Sequence, residues 1–326
     1  QKREILDLGP SAPLVFPTSS VRTVYEPSAD RFYKFSLNVR LTNCWRKHAW
    51  YELIGSIALS RLLSSVFIEL DRLHFGATLL LEPAYRTVDL NDRSLTEGLA
   101  VVIREGVEGK VRPGVTPLLA AAIADQHQAS RAAIANLLER GDRCFGHALK
   151  WWEAYISRLI PPVLHAYFGH GVVLEPHLQN VLVGVTADGM PVQMIFRDLE
   201  GVKLLPEQHS AILDELPPRV RAALSYSPEQ GWKRVVYCLV VNHLAELAAA
   251  MNEVQPGIER RLWSVAREHF LECANYYDWP FQLRELLAGV PLPAKANLRT
   301  RFLQAADRDA TYVSVANPLG DRSFSS

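Results

Sequence analysis

The sequence has no excess of charge of either sign: Lys plus Arg and Asp plus Glu both number 35, for a formal charge of zero. That balance excludes the basic surplus of a nucleic-acid binder, so any cationic site has to be built locally. Cysteine is scarce: Cys44, Cys144, Cys238 and Cys273 lie far apart with no CxxC or similar spacing. They read as small apolar residues of a reducing compartment, not as a disulfide framework or a zinc site. No run of about 18 apolar residues is found, so no membrane span is expected. The start, Gln1-Lys2-Arg3-Glu4, lacks an initiator Met and the apolar core of a signal peptide. The expectation is a soluble cytoplasmic protein, and a piece of a longer chain. Also missing are a GxxxxGKS/T loop, a GxGxxG turn after a strand and a GxSxG elbow, which excludes P-loop, Rossmann and α/β-hydrolase chemistry. His165 and His170 are five residues apart with no third ligand in view, and read as core or capping histidines.

What is present is a chain of 326 residues, 48% hydrophobic, long enough for two lobes and a sizeable core. Residues 32–42 alternate, with Tyr33, Phe35, Leu37, Val39 and Leu41 in an apolar row and Lys34, Ser36, Asn38, Arg40 and Thr42 in a polar one. Period two predicts a strand with these rows on opposite faces. Residues 50–70 have helical spacing, and 77–81 and 99–104 read as β structure. Beyond Pro113 and Pro117 the pattern becomes mainly helical: 118–139, then 144–168 broken or restarted at Pro161-Pro162, then four or so helices over 207–287. Two apolar runs around Asp188-Gly189 predict a tight hairpin. The fold class expected is α+β. A small antiparallel sheet lobe (1–112) would face a larger, mainly helical lobe (113–304) carrying the hairpin, with a nucleotide cleft between them in a distantly kinase-like arrangement. Residues 305–326 would form a polar tail.

The densest chemical signal surrounds that hairpin. Glu175, His177, Gln179 and Asn180 precede it, and Arg197-Asp198 follow it. The two ends of a tight antiparallel pair lie side by side. Asn180 and Asp198 would therefore offer a carboxamide oxygen beside a carboxylate, the hard-oxygen ligation that Mg²⁺ takes alongside phosphates. Protein kinases hold their metals with a similar pair. Taken singly, each residue could be a turn cap; the cluster favours a metal–nucleotide site. Upstream, Ser19-Ser20-Val21-Arg22-Thr23 precedes the strand bearing Lys34, and Arg46 lies among Trp45, Trp50 and Tyr51. Hydroxyls, a planar guanidinium fork and a lysine point charge all suit phosphate oxygens.

These elements together resemble the siderophore synthetases that work without a nonribosomal peptide synthetase, the aerobactin-synthetase-like IucA/IucC family. They are Ser-x-Arg-Thr, a strand lysine, Thr-x-x-x-Arg, Glu-x-His-x-Gln-Asn and Arg-Asp. The likeness runs over residues 17–301. It implies ATP and Mg²⁺ as cofactors and a citrate-type carboxylate joined to an amine or alcohol through an acyl-adenylate. Ser20, Arg22, Thr23 and Lys34 would hold the ATP phosphates, and Glu175, Asn180 and Asp198 the metal end. Thr42, Arg46, His177 and Gln179 would face the acid or the reacting α-phosphate; Gln179 also counts among the ATP contacts, and Arg46 and His177 as catalytic. Lys295, in a late basic element with Arg299 and Arg301, would reach the carboxylate. Homodimerisation is a family expectation. The family's N-terminal His-Pro…Lys signature is missing, which fits a piece of a longer chain or a shortened homologue. Two other readings stand beside this one: a kinase-like phosphotransferase, and a non-catalytic truncated homologue that keeps only the fold. A kinase would carry a catalytic Asp shortly before its Asn, where Glu175 and His177 stand here. A degenerate copy should have lost charged site residues.

Overall fold

The computed structural model describes residues 9–10, 13–41, 44–73, 76–89, 91–125, 128–139, 145–303 and 311–320. In chain order the N-terminal part forms β1 (Phe16–Pro17), β2 (Thr23–Glu26), β3 (Arg31–Phe35), β4 (Arg40–Leu41) and β5 (Cys44–Trp45). Helix α1 (Trp50–Arg72) follows, then β6 (Ala77–Leu79), β7 (Ala84–Arg86), α2 (Arg93–Gly98) and β8 (Val101–Glu105). Strands β1-β2-β3-β8-β7 make one antiparallel sheet in that order.

The expected strand over 32–42 is only partly formed, and its inward face is the one that carries Lys34. The chain leaves β3 after Phe35 and folds back, with Leu37 N–H bonding to Arg46 O and Arg46 N–H to Val39 O, each at 2.9 Å. Within β3 it is Phe32 and Lys34 that are buried, while Phe35 is 41% exposed. A lysine can take the inward face because carboxylates await it there.

Further along come β9 (Thr116–Leu119), α3 (Ala120–Ala124), α4 (Gln128–Glu139), α5 (Phe145–Phe168), β10 (Val172–Val173), β11 (Val181–Val185), β12 (Pro191–Phe196) and β13 (Lys203–Leu204). The single helix expected over 118–139 is thus a strand end and two helices, because Thr116–Leu119 pair with β11. Helix α5 runs through Pro161 and Pro162 without the expected break. Each proline forfeits one backbone hydrogen bond, but the helix is the central element of the core. Trp151, Trp152, Tyr155, Leu159, Ile160 and Val163 are fully buried along it. The hairpin β11–β12 forms as expected, inside a sheet of order β6-β12-β11-β9 in which β6 runs parallel to β12. A strand from the first third therefore completes the hairpin's sheet, and the two sheets interleave in sequence.

The remainder is α6 (Pro206–Asp214), α7 (Pro218–Leu224), α8 (Pro228–Val236), α9 (Ala245–Val254), α10 (Glu259–Tyr276), α11 (Phe281–Leu287), β14 (Leu292–Lys295), α12 (Asn297–Phe302) and β15 (Tyr312–Val315). A π-helical segment, Tyr237–Leu244, joins α8 to α9. The segment expected to be a loose tail contributes a strand: β15 pairs with β14, and Leu319 is fully buried. Contrary to the sequence reading, Trp50–Arg72 and Pro228–Val254 are long and apolar enough by length and composition to cross a membrane. Here 50% and 67% of their most apolar windows are buried in the fold. Cys238 and Cys273 are buried and form no disulfide, as small apolar residues would.

Candidate functional site

The inner face of the first sheet sets out the cations. Thr23 pairs with Lys34, and Lys34 with Val102, while Arg104 lies opposite Phe32. Period-two alternation places Thr23, Lys34 and Arg104 on one face. Facing them is the chain beyond β12. Asp198 takes a left-handed conformation, φ 75°, tolerated by a short polar side chain; immediately after the strand, it brings Asp198 and Glu200 to the lysine. Lys34 Nζ lies 2.7 Å from Asp198 Oδ1 and 2.6 Å from Glu200 Oε2. Arg22 donates to the same Glu200 oxygen at 2.7 Å and to the carbonyl of Arg46 at 2.8 Å. Arg104 is anchored from behind by Glu82 at 2.6 Å and reaches Asp198 Oδ1 at 3.4 Å.

The electrostatics follow. Burial alone would raise the Asp198 carboxyl, but Lys34 and Arg104 hold it well below the usual carboxylate range. Burial is likewise overcome at Glu200, which Lys34 and Arg22 hold at about 2. Glu52, in the first turn of α1, behaves oppositely: burial and the nearby Glu200 push it up to about 7, against its hydrogen bond from Ala49 N–H. Lys34 stays charged, its burial outweighed by Asp198, Glu200 and Glu82.

A small cavity opens in front of this network, lined by eight of the residues singled out in the sequence: Ser20, Arg22, Thr23, Lys34, Arg46, Gln179, Asn180 and Asp198. Thr23 Oγ1 donates to Ser20 Oγ at 3.2 Å. Three further lining residues, Thr18, Arg104 and Arg197, had been given no role from the sequence. Arg104 had a signal, a lone charge at the inward period of an apolar strand; Arg197 had one in its own Arg-Asp motif. Arg197 caps the carbonyl of Gln179 at 2.8 Å and Ser19 Oγ at 3.0 Å, tying the hairpin to the Ser-x-Arg-Thr turn. Arg22, Lys34, Arg46, Arg104 and Arg197 are five cations, set against Asp198, Glu200 and Glu82. The cluster therefore carries a local positive surplus although the chain is neutral.

Beyond Glu200 lies a larger cavity of about 680 Å³, whose walls include Glu52, Lys203, Arg234, Lys295 and Tyr312. Lys295 is there, 5.9 Å from the Tyr237 ring centroid, and not in the small cavity with Arg46. His177 lies between the two in its electrostatics. Burial lowers its pKa; Glu175 and Asp198 oppose that, while Lys295 and Arg197 add to it, so the ring is neutral at neutral pH. Its loop is fixed by His243 from the π-helical segment, whose Nδ1 meets Pro176 O at 2.6 Å and whose Nε2 meets Tyr155 Oη at 2.5 Å. Thr42 lies outside the described residues.

The expected metal set fits only in part. Glu175 is turned away: its carboxylate pairs with Arg234 and packs on Gly201, where a Cβ would sit 2.0 Å from Glu175 Oε2. Asn180 keeps its amide on the Glu175 carbonyl, Nδ2 to O at 3.2 Å, which leaves the acceptor end of this buried side chain for the cavity. Both cations on Asp198 take Oδ1. Asn180 Oδ1 and Asp198 Oδ2 therefore suit a hard cation shared with phosphates; Glu175 does not.

Residues 1–125 match the model of the IucA / IucC family, and residues 149–310 that described as ferric iron reductase FhuF-like transporter. The chain is 29% identical over 331 residues to the L-2,3-diaminopropanoate–citrate ligase of Staphylococcus aureus, covering 97% of this chain and 55% of that protein. It is 29% identical over 324 residues to the spermidine–citrate ligase of Bacillus anthracis, covering 96% and 53%. Among solved structures, the ATP-bound aerobactin synthetase IucA of Klebsiella pneumoniae superposes with a TM-score of 0.82 at 24% identity, over 97% of this chain and 57% of that one. The petrobactin biosynthesis protein AsbB of Bacillus anthracis gives 0.74 at 20% identity, over 91% and 52%. The chain spans about half the length of the relatives it matches. The chain shares its α+β fold with these synthetases, and its first 125 residues are similar to the IucA / IucC family.

Proposed function

We propose that this chain forms the ATP- and acid-activating part of a siderophore synthetase, which adenylates a citrate-type carboxylate and passes it to an amine or alcohol. The observation that carries the reading is the convergence of Arg22, Lys34, Arg46 and Arg104 with the Ser20 and Thr23 hydroxyls on one cavity, closed by Asp198 and Asn180. In the first half-reaction a carboxylate oxygen attacks the α-phosphorus of ATP, the α–β bridging bond breaks and pyrophosphate leaves. In the second, the amine nitrogen or alcohol oxygen attacks the acyl carbon, loses its proton and expels AMP. Two anions have to meet in the first step. The surplus cations offset that repulsion, and as preorganised donors they meet charge as it develops on the phosphate oxygens. Mg²⁺ on Asn180 and Asp198 would neutralise phosphate charge. His177, neutral, would hydrogen-bond the reacting phosphate or acid. Lys203, Arg234 and Lys295 give the larger cavity the positive wall that a polycarboxylate needs, and Glu52 and Glu200 give it the acidic wall that suits an amine. Cytoplasmic location, a homodimer, and a division at residue 112 into a phosphate-binding and a catalytic lobe belong to the same proposal. The test is product analysis with Mg·ATP, citrate and a diamine. Acid-dependent AMP and pyrophosphate support the ligase, ADP would indicate a kinase, and no turnover by the longest form of the protein would leave only a binding role.

A further inference from the structure

Away from the cleft, two histidines and a glutamate converge where the C-terminal turns of α1 and α5 meet. His165 Nε2 lies 3.7 Å and His170 Nε2 3.5 Å from one oxygen, Glu69 Oε1. The three ligand atoms all fall within 4.8 Å of one another. Both nitrogen–oxygen separations are too long for good hydrogen bonds. They match the edge of a tetrahedron, about 3.4 Å, that ligands at about 2.1 Å from a zinc-like ion define. His170 Nε2 is buried and has no hydrogen-bond partner among the described residues, a costly state for a ring nitrogen that an ion would relieve. On the other side of His165, Nδ1 is hydrogen-bonded to the Tyr277 hydroxyl from the end of α10. Such a second partner orients a ligating imidazole and fixes its tautomer. Gly169 keeps the approach clear, since a Cβ there would sit 3.3 Å from His165 Nε2 and 3.4 Å from Tyr277 Oη.

We propose that Glu69, His165 and His170 bind one first-row divalent transition-metal ion of the zinc class, with a fourth position open to solvent beside the exposed Glu69. Imidazole and carboxylate together suit zinc, cobalt, nickel or copper better than Mg²⁺. The ion would clamp α1 to α5 and, through Tyr277, to α10. The offset of seventeen residues along α1 from Glu52 to Glu69 puts it about 25 Å along the helix from the cleft, so the inference does not depend on the reading of that cleft.

The test is titration of chelator-stripped protein with Co²⁺ alone, followed by visible absorption and then by displacement with Zn²⁺. One equivalent per chain with four-coordinate cobalt bands is expected, and a rise in Tm with Zn²⁺. His170→Gln and Glu69→Gln should each weaken binding at least tenfold and remove that rise in Tm. Glu69 is exposed, so its substitution leaves folding intact, and thermal melts of the metal-free variants check this. Absence of stoichiometric binding, or binding that survives both substitutions, overturns the proposal. A Tm change in metal-free variants without cobalt bands in the parent chain would mark the cluster as merely structural and overturn it equally.

Discussion

Lys34 and Asp198, 164 residues apart in sequence, meet at 2.7 Å, and the lysine that makes this contact is 3% exposed. That contact changes what a lysine substitution should do. An exposed cleft lysine would contribute little to folding, whereas this one compensates two carboxylates that are each about a third exposed. Lys34→Met should therefore cost about 2–3 kcal/mol in urea unfolding, below the range for a fully buried pair because solvent screens part of it. It should also abolish Mg·ATP binding in calorimetry. Full stability with lost binding would show the ion pairs to be energetically idle.

The acidic groups give a pH signature with two opposing limbs. Glu200 is held at about 2 and Asp198 is depressed as well. Their folded pKa values lie below the unfolded values of about 4, so their contribution is full above about pH 5 and disappears as the pH falls toward 2. Glu52, pushed up to about 7, works in the other direction. Its unfolded form releases its proton first, so stability declines as the pH climbs from about 4.3 to about 7 and is flat above. Glu52→Gln, which can still accept from Ala49 N–H, should remove the decline between pH 5 and pH 7.5. Equal slopes for variant and parent in urea midpoints at those two pH values would contradict the burial assigned to Glu52.

The metal ligands can be separated by two isosteric changes. Asp198→Asn should lower Mg·ATP affinity by at least tenfold, because the carboxylate both meets the cation and orders Lys34. Glu175→Gln should leave that affinity within about twofold and lower Tm instead, since its carboxylate pairs with Arg234. Calorimetry with and without Mg²⁺ reads the first effect, and thermal melts the second. A larger loss of affinity from Glu175→Gln than from Asp198→Asn would restore the ligand set inferred from sequence.

Why some of this was legible in the sequence is clear from particular residues. Asn180 and Asp198 were paired correctly because a tight hairpin forces its two ends together, a local rule needing no tertiary knowledge. Glu175, expected beside them, pairs instead with Arg234: five residues of loop leave its direction undetermined, and a distant helix decides it. Alternation over β3 identified two rows but not which one faces inward. The Asp198 and Glu200 carboxylates, more than 160 residues on, draw the Lys34 row inward. Likewise the end of the chain looked polar and loose, yet β15 finds its edge on β14 through backbone hydrogen bonds that composition does not display. The Glu69–His165–His170 cluster was invisible for the same reason: its third member lies nearly a hundred residues upstream.

The acid substrate provides the last prediction, through Arg46. Its backbone is fixed twice, its N–H bonding to Val39 O at 2.9 Å and its carbonyl accepting from Arg22 at 2.8 Å, so its guanidinium departs from an anchored position on the wall of the small cavity. Arg22 in turn is committed to Glu200, and Lys34 to two carboxylates. Arg46 is thus the wall cation whose backbone these contacts hold while its side chain faces the space where acid and phosphate would meet. Lysine at this position keeps the charge and loses the bidentate fork that matches a carboxylate. Arg46→Lys should therefore raise the apparent KM for the acid at least fivefold, and that for ATP by less than half as much, with Tm nearly unchanged. Steady-state pyrophosphate release, titrated separately in citrate and in ATP, measures both. If the ATP term moves more than the acid term, Arg46 belongs with Lys34 among the phosphate contacts, and the acid must be recognised from the Lys295 side of Glu200.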